Sequence, residues 1–270
     1  MSSLLLESLE IKEIITKDII PHTSIFTFYH LPNTSMGITI GNNLRQILMT
    51  LIEGIAILGI KITDKIGPKN NIISPIEQIG DSTPYLILNL KKIILKEKKT
   101  DKKGIFCLEM KIENKEQELK TIRAGDFEEN ENVEIKNPEL CLTTLETGGV
   151  LEIKLYCQKS WGYHSEEEQE KDHHFEEDNV IFLDSDYSPV KKVSFGCSSD
   201  TNPITKTIIT SSKKKEGELT ITVTTNGAIS PREAVLEALT ISEDISKSIR
   251  SRFSKNNFKD EEKEALRQQN

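Results

Sequence analysis

The sequence predicts an α+β fold in which strand-forming segments fill most of the chain and one amphipathic helix lies near each end. Three observations support this prediction. Apolar residues recur at every second position through much of the chain, as they do in half-buried strands. Two segments instead repeat their apolar residues with the period of a helix. About 170 residues with strand and loop patterns separate the two helical segments.

The strand segments are separated by turn signals. The alternation between Ile55 and Ile62 shifts by one residue, which predicts a β-bulge at Gly59. Gly148-Gly149 and Asn226-Gly227 are turn sequences that connect neighbouring strands. The other alternating positions that we expect on strands are Phe26, Phe28, Leu86, Leu88, Leu90, Phe106, Leu108, Met110, Ile112, Leu151, Ile153, Leu155, Leu219, Ile221 and Val223.

Two segments have helical periodicity. The first is predicted from Asn43 to Glu53, with Gly54 as its C-terminal stop and one apolar stripe formed by Leu44, Ile47, Leu48, Leu51 and Ile52. The second begins at Ser230-Pro231-Arg232-Glu233, which has the sequence of a capping box, and continues towards Phe253. Strands between two terminal helices are compatible with two consecutive α+β domains, or with one domain built from both ends and a second inserted into it.

The composition excludes several classes of protein. The chain has 270 residues and a net charge of −8, so it lacks the basic surface with which a protein holds nucleic acid directly. No apolar run reaches the roughly 20 residues of a membrane-spanning helix, and no signal or transit peptide is expected. The four cysteines, none in a C-x-x-C pair, are expected to be buried free thiols. The acidic segment from His164 to Asp178 is predicted to be a mobile loop.

Three patterns could carry chemistry, but each has a simpler interpretation. His164, His173 and His174 lie in the acidic segment without the spacing that would place two ligands on one helical face. Asp184-Ser185-Asp186 could bind Mg²⁺, but it leads directly into a turn sequence. The segment from Thr39 to Asn43 lacks a phosphate-binding glycine motif, and Gly41 is expected to permit a tight entry into the first helix. We therefore expect no catalytic residue and no metal site in this chain.

The first predicted helix has more apolar surface than one packing face requires. Leu44, Ile47, Leu48, Met49, Leu51 and Ile52 fall within nine residues. A helix of this kind either packs entirely in its own core or buries a second surface against another chain. The second interpretation predicts an obligate oligomer.

Four motifs occur in order along the chain. They are SMGITIGNNLRQILM at 35–49, ILNLK at 87–91, DSDYSPV at 184–190 and TNGAISPREA at 225–234. They resemble the G-x-T-L-G-N-A-L-R-R-I-L-L, I-L-L-N-L-K, V-D-A-x-Y-S-P-V and T-N-G-x-x-x-P-x-E-A segments of the α subunits of bacterial- and plastid-type DNA-dependent RNA polymerases. The resemblance extends from Ile25 to about Phe253, nearly the whole chain.

The resemblance implies a domain organisation. Residues 1–54 and 190–258 would form a discontinuous dimerisation domain with a sheet and two helices, residues 55–189 an inserted β-rich domain, and residues 259–270 a tail. It implies a homodimer that serves as a scaffold for the β and β′ subunits. The residues that would form the dimer interface are Leu44, Ile47, Leu48, Leu51, Val235, Leu239 and Ile245.

The family also implies surfaces for the other subunits. Arg45 and Met49 would contact β, and Lys91, Leu183 and Val190 would contact β′. The family's second arginine is Gln46 here, so a contact at that position loses its charge. The family's C-terminal DNA-binding domain is expected to be absent, and the composition favours an organelle-encoded or reduced-genome source.

The sequence therefore predicts a non-catalytic subunit of a nucleotidyltransferase that transcribes DNA from ribonucleoside triphosphates. No cofactor is expected in this chain, and Mg²⁺ is expected in the catalytic subunits. DNA would be contacted only through the complex, in a plastid stroma or a bacterial cytoplasm, and no membrane is involved. One alternative is an α-like half of a heterodimeric polymerase platform. Another is a metal-dependent enzyme that uses Asp184, Asp186 and the histidines.

Overall fold

The computed structural model describes residues 9–15, 21–64, 66–68, 76, 78–98, 104–175, 178–199 and 217–254. The helices are α1 (Thr34–Thr50), α2 (Thr83–Leu90), α3 (Glu166–Asp172) and α4 (Pro231–Ser254). The strands are β1 (Glu10–Ile15), β2 (Thr23–Leu31), β3 (Gly54–Asp64), β4 (Leu95–Glu97), β5 (Ile105–Glu113), β6 (Lys120–Arg123), β7 (Val133–Ile135), β8 (Cys141–Leu145), β9 (Val150–Ser160), β10 (Tyr163–His164), β11 (Ile181–Phe182), β12 (Ser185–Asp186), β13 (Val190–Ser199) and β14 (Gly217–Thr225).

One antiparallel sheet joins strands from both ends of the chain. Its order is β1-β2-β14-β13, so the second strand of the sequence pairs with the last one. Helix α1 packs on β13, β14 and α4, and α4 also contacts β2 and β14. Their shared core contains Phe26, Phe28, Leu31, Leu44, Ile47, Leu48, Ile52, Val190, Leu219, Ile221, Val223, Ala234, Val235 and Ala238.

The segment between these ends forms a second, β-rich unit with its own core. Its main sheet has the order β5-β9-β3-β4-β7, and β11 adds to β3. Strands β6 and β8 form a smaller sheet, and α2 packs beside β8. Among the described residues, 25 buried side chains between Ile57 and Leu183 form this core, and none of these belongs to the core of the first sheet.

Several local predictions from the sequence are confirmed. The pairing of β3 with β9 shifts register between Ile57 and Gly59, where the bulge was predicted. At the start of α4, the backbone N–H of Glu233 donates to Ser230 Oγ at 3.2 Å, and the backbone N–H of Ser230 donates to Glu233 Oε2 at 2.9 Å. These two bonds are the reciprocal pair of a capping box.

Two predictions about helices and strands are wrong. Residues 83–90 form helix α2 and not a strand, because Pro84 favours the first helical turn and the inward positions are Leu86, Ile87 and Leu90. Helix α1 begins at Thr34 and not near Asn43, with the Asn33 side chain accepting a bond from the backbone N–H of Met36. Gly54 is the first residue of β3 and not a helix stop.

The acidic segment is also more ordered than predicted. Glu166–Asp172 form helix α3, which Ser165 caps by exchanging two hydrogen bonds with Glu168. Gln169 on this helix is buried and donates to the Tyr187 hydroxyl at 2.8 Å. One buried side chain therefore anchors an otherwise exposed helix. The predicted tail after Phe258 lies outside the described residues.

Two glycines are required by close packing. Gly41 lies in the middle of α1 and not at its entry, and a β-carbon there would sit 2.5 Å from the ring of Phe195. A β-carbon at Gly54 would overlap the backbone carbonyl oxygen of Tyr187. Backbone cannot rotate aside as a side chain can, so the contact at Gly54 is the less adaptable of the two.

We predict that Gly54→Ala lowers the free energy of unfolding by about 1–3 kcal/mol, because the methyl group forces β3 and the segment at Tyr187 apart. Chemical denaturation of the two proteins measures this difference. Gly196→Ala is the matched control, since it also lies on a strand but has open space at the β-carbon position. Equal stability of the Gly54→Ala variant and the wild type would contradict the packing described here.

Candidate interaction surfaces

Helix α4 carries an apolar stripe that is buried in its first half and exposed in its second. Val235, Leu239, Ser242, Ile245 and Ile249, with Phe253 beyond them, follow one another at three- or four-residue steps, so they lie along one face. Val235 is buried in the core, whereas Ile249 is 52% and Phe253 65% exposed. The exposed part of the stripe therefore runs from Leu239 to Phe253, about 21 Å at 1.5 Å per residue.

An apolar groove lies beside the buried half of α4. Its floor is formed by Phe26 and Phe28, and Ile11, Leu236 and Leu239 line it and are exposed. The ion pair between Arg232 Nη1 and Glu13 Oε2, at 3.3 Å, joins the start of α4 to strand β1 at this groove. The groove has a volume of about 290 Å³. It is continuous with the exposed stripe through Leu239.

Four of the seven residues predicted at a dimer interface are buried inside the chain itself. Leu44, Ile47, Leu48 and Val235 belong to the core between the helices and the first sheet, and Leu48 has no exposed surface. Their side chains are therefore unavailable to a second molecule. The three that are exposed are Leu51, Leu239 and Ile245. Helical periodicity alone could not separate the two groups, because one apolar stripe serves both the core and the surface.

Helix α1 has an exposed outward face. Ile38, Arg45 and Met49 are exposed and lie on the side opposite Leu44 and Ile47. The other side of the helix is tied to α4, where Ser242 Oγ donates to Asn43 Oδ1 at 3.2 Å. The residues predicted to contact β are thus accessible, and Ile38 adds an apolar side chain to the same face.

A mixed polar and aromatic patch surrounds Lys91. Lys91 Nζ lies 2.6 Å from Asp184 Oδ1, and the Tyr163 hydroxyl donates to Asp184 Oδ2 at 3.5 Å. The ammonium of Lys91 holds the pKa of Asp184 below its usual range. Partial desolvation of its hydroxyl and the neighbouring charge of Asp184 raise the pKa of the otherwise exposed Tyr163. Tyr85 and Leu88 on α2 and Lys91, which directly follows this helix, are spaced at three-residue steps, so exposed apolar surface lies beside the ion pair.

The other two residues predicted to contact β′ are not accessible. Leu183 is 2% exposed in the core of the β-rich unit, and Val190 is 1% exposed in the core of the first sheet. These two side chains therefore offer almost no surface of their own, and a contact of this region with β′ stays a prediction. Leu183 directly precedes Asp184, and Val190 directly precedes Lys191. Because both of these neighbours are accessible, the motif match placed Leu183 and Val190 near a surface.

Several exposed apolar residues were not expected at a surface from the sequence patterns. They are Ile38, Tyr85, Leu88, Trp161, Tyr163 and Leu236. Ile249 and Phe253 continue the helical face predicted for α4, but periodicity did not show that they are exposed. Trp161 and Tyr163 flank Gly162, which has a φ of 71°, and only this turn shows that both rings project into solvent.

The acidic and histidine side chains that could carry chemistry make other contacts in the structure. The described residues contain no group of three or more histidine, cysteine, aspartate or glutamate side chains that could hold a metal ion. Asp184 and Asp186 each pair with a lysine, Asp186 Oδ2 lying 2.8 Å from Lys191 Nζ. His164 and His173 each contact a backbone carbonyl oxygen, those of Trp161 and Gln169. Within the described ranges, no helix is both long and apolar enough to cross a membrane.

We predict that Lys91→Met raises the pKa of Asp184 towards its usual value, because the variant lacks the ammonium that favours the carboxylate. NMR titration of the carboxyl carbons measures this change. In the wild type the depressed pKa means that the pair stabilises the fold at neutral pH, and this contribution is lost as the pH falls through the pKa of Asp184. The control is Lys92→Met, since Lys92 bonds to Asn89 instead. An unchanged pKa in Lys91→Met would contradict the assignment.

Comparison with known proteins identifies the family. Residues 72–188 match the family described as the RNA polymerase Rpb3/RpoA insert domain, which corresponds to most of the β-rich unit. The chain is 34% identical to the DNA-directed RNA polymerase subunit alpha of Leptospira biflexa and 35% identical to that of Desulforamulus reducens, in each case over 77% of this chain and 59% of the relative.

The same subunit of Thermus aquaticus is 32% identical, over 76% of this chain and 59% of the relative. These matches span about three fifths of the length of the curated relatives, all three of which are bacterial. They agree with the four motifs, and they extend well beyond the β-rich unit. This chain belongs to the family of DNA-directed RNA polymerase α subunits.

Proposed function

We propose that this chain is a homodimeric scaffold on which the β and β′ subunits of a DNA-directed RNA polymerase assemble. The observation that carries the proposal is the exposed apolar stripe in the second half of α4. The exposure of Ile245, Ile249 and Phe253 to water is unfavourable. Full burial of one large apolar side chain stabilises a protein by about 1.5–3 kcal/mol. The stripe is therefore expected to be covered by a partner chain in an obligate complex.

A second copy of the chain supplies such a partner. Each copy has both an exposed stripe and an adjoining groove with apolar walls at Ile11, Leu236 and Leu239. In a dimer with a two-fold axis, the stripe of each copy would pack against the other copy. One self-complementary interface would then cover the stripes and grooves of both copies. The exposed residues Leu51, Leu239 and Ile245 would lie in this interface, together with Ile249 and Phe253.

The proposed domains follow from the two separate cores. Residues 1–54 and 190–258 would form the dimerisation domain, and residues 55–189 the inserted domain. The observed four-stranded sheet supports this division, because its neighbouring strands β2 and β14 come from opposite ends of the chain. Residues 259–270 would be a tail.

The outward face of α1 is the proposed contact for β, and the patch around Lys91 the proposed contact for β′. Arg45 and Met49 combine a charge with a flexible apolar side chain, as many interface anchors do. Lys91 and Asp184 are flanked by the exposed Tyr163 and Leu88. Since the two copies are identical, each partner would use its surface on a different copy.

The chain itself is proposed to be non-catalytic. Asp184 and Asp186 are paired with lysines, which makes them poor candidates for metal-dependent phosphoryl transfer. Mg²⁺ and the ribonucleoside triphosphates would bind the β and β′ subunits, and DNA would be reached only through them. The net charge of −8 supports an indirect role. The compartment would be a bacterial cytoplasm or, if the gene is organelle-encoded, a plastid stroma.

We predict that Ile245→Asp combined with Ile249→Asp converts the purified dimer into a monomer, because two charges would have to be buried in the interface. Light scattering coupled to size-exclusion chromatography measures the mass. The control is Ser251→Asp, which adds a charge to the opposite face of the same helix. A wild-type chain that is monomeric alone, and dimeric only with a different α-like chain, would favour the heterodimeric platform instead.

We predict that Arg45→Glu combined with Met49→Asp removes the β-like subunit from complexes purified through a tag on this chain at its native locus. Quantitative mass spectrometry should show at least about a tenfold loss, since interface anchors each contribute 2 kcal/mol or more. Self-association should persist because α4 is unchanged.

The control for this experiment is Lys115→Glu, a charge reversal at a fully accessible turn of the β-rich unit. Recovery of the β-like subunit at the wild-type level from the Arg45→Glu, Met49→Asp variant would overturn the assignment of α1 as its contact. Recovery of neither large subunit with the wild-type chain would overturn the scaffold function as a whole.

A further inference from the structure

The chain passes between its two units at two points, and these crossovers lie side by side. The first runs from the end of α1 through Glu53 to Gly54, and the second runs through Tyr187 and Pro189 to Val190. A β-carbon at Gly54 would overlap the Tyr187 carbonyl oxygen and lie 3.2 Å from Pro189 Cδ. The crossovers therefore touch backbone to backbone, with no room for a side chain between them.

Backbone hydrogen bonds fasten the second crossover to both units. The backbone N–H of Tyr187 donates to the carbonyl oxygen of Gly162 at 2.9 Å, within the β-rich unit. The backbone N–H of Asn226 donates to the carbonyl oxygen of Pro189 at 2.9 Å, from the turn that leads to α4. The crossover is thus held on each side, and a change of angle between the units would break at least one of these bonds.

Side chains fasten the first crossover in the same way. Lys159, on β9 of the β-rich unit, donates to Glu97 Oε2 at 2.8 Å and lies 3.3 Å from Glu53 Oε2. Glu237, on α4 of the other unit, lines the same cleft as Glu53 and Lys159. Burial and the neighbouring charge of Glu53 raise the pKa of Glu237, and the charge of Lys159 opposes this rise. Glu53 is therefore held from the β-rich unit through its side chain and lies beside α4 in a cleft shared by both units.

We propose that Lys159 and Glu237 lock the two crossovers and hold the β-rich unit at a fixed angle to the sheet-and-helix unit. Both residues line one cleft of about 250 Å³, whose walls come from both units. Glu53 and Glu97 face Lys159 there, and Lys96 and Glu233 line the same cleft as Glu237. The ion pairs are partly exposed, so each contributes little alone. Together they restrain the boundary between the two units, where the backbone at Gly54 is already in contact with the backbone at Tyr187.

A fixed angle has a consequence for recognition. Arg45 and Met49 lie on one unit, and Lys91 and Asp184 lie on the other. A lock at the crossovers keeps these two surfaces at a constant separation, so the partners that bind them do not have to select one angle between the units from many. The lock itself does not depend on what the partners are, and it can be tested on this chain alone.

The test measures the distance between two spin labels, one on each unit, by pulsed electron resonance. The labels are placed on the exposed Cys141 and on Lys192→Cys, in a chain that also carries Cys107→Ser and Cys197→Ser. The buried Cys157 is retained because burial strongly raises its pKa and keeps it unreactive. Dilution with unlabelled chain ensures that each measured pair lies within one molecule.

We expect Lys159→Met combined with Glu237→Ala to broaden the distance distribution at least about twofold, because the units then swing about the crossovers. The matched control is Lys154→Met. Lys154 lies on β9 like Lys159, but its ion pair with Glu109 on β5 is entirely within the β-rich unit. This control should keep the narrow distribution of the parent. If the double variant does not fold, Lys159→Met alone takes its place. A distribution that is as narrow in the variant as in the parent, or as broad in the Lys154→Met control, would overturn the proposal.

Discussion

The first sheet can bury its apolar face only if the two ends of the chain come together, and the rest of the structure depends on this constraint. Strand β2 has β14 as a neighbour, and these strands are separated by the whole β-rich unit in sequence. Helices α1 and α4 cover the sheet jointly, one from each end. Each end supplies two strands of this sheet and one of its helices, and the shared core draws its residues from both ends.

The inserted unit follows from that constraint. Closing the ends forces the intervening segment to leave and re-enter at adjacent points, which explains why the crossovers at Gly54 and Pro189 touch. The segment then needs a core of its own, and its 25 buried residues provide one that is separate from the first. The result is a chain with two cores whose units meet at the paired crossovers. Surfaces on different units can therefore be held at a fixed separation.

The same geometry explains which apolar residues are exposed. Helix α4 is longer than the sheet it covers, so its stripe is buried at Val235 and exposed at Ile249. In the proposed homodimer this surplus would form the interface, and the outward face of α1 is the surface proposed for β. The patch at Lys91 lies on the inserted unit, where β-rich scaffolding positions Asp184 and Tyr163 beside it.

The sequence by itself determined the family, the predominance of strands and the start of α4, because these depend on local patterns. A capping box, a bulge at Gly59 and four ordered motifs involve residues close together in the chain. Tertiary structure alone decided which apolar residues face solvent. Leu48 and Ile245 belong to equivalent helical stripes, but one meets the sheet and the other projects past it. It also decided that residues 83–90 form a helix. The alternation of Leu86, Leu88 and Leu90 fits a strand equally well, but in the structure Leu86 and Leu90 are buried in the β-rich core and Leu88 is exposed.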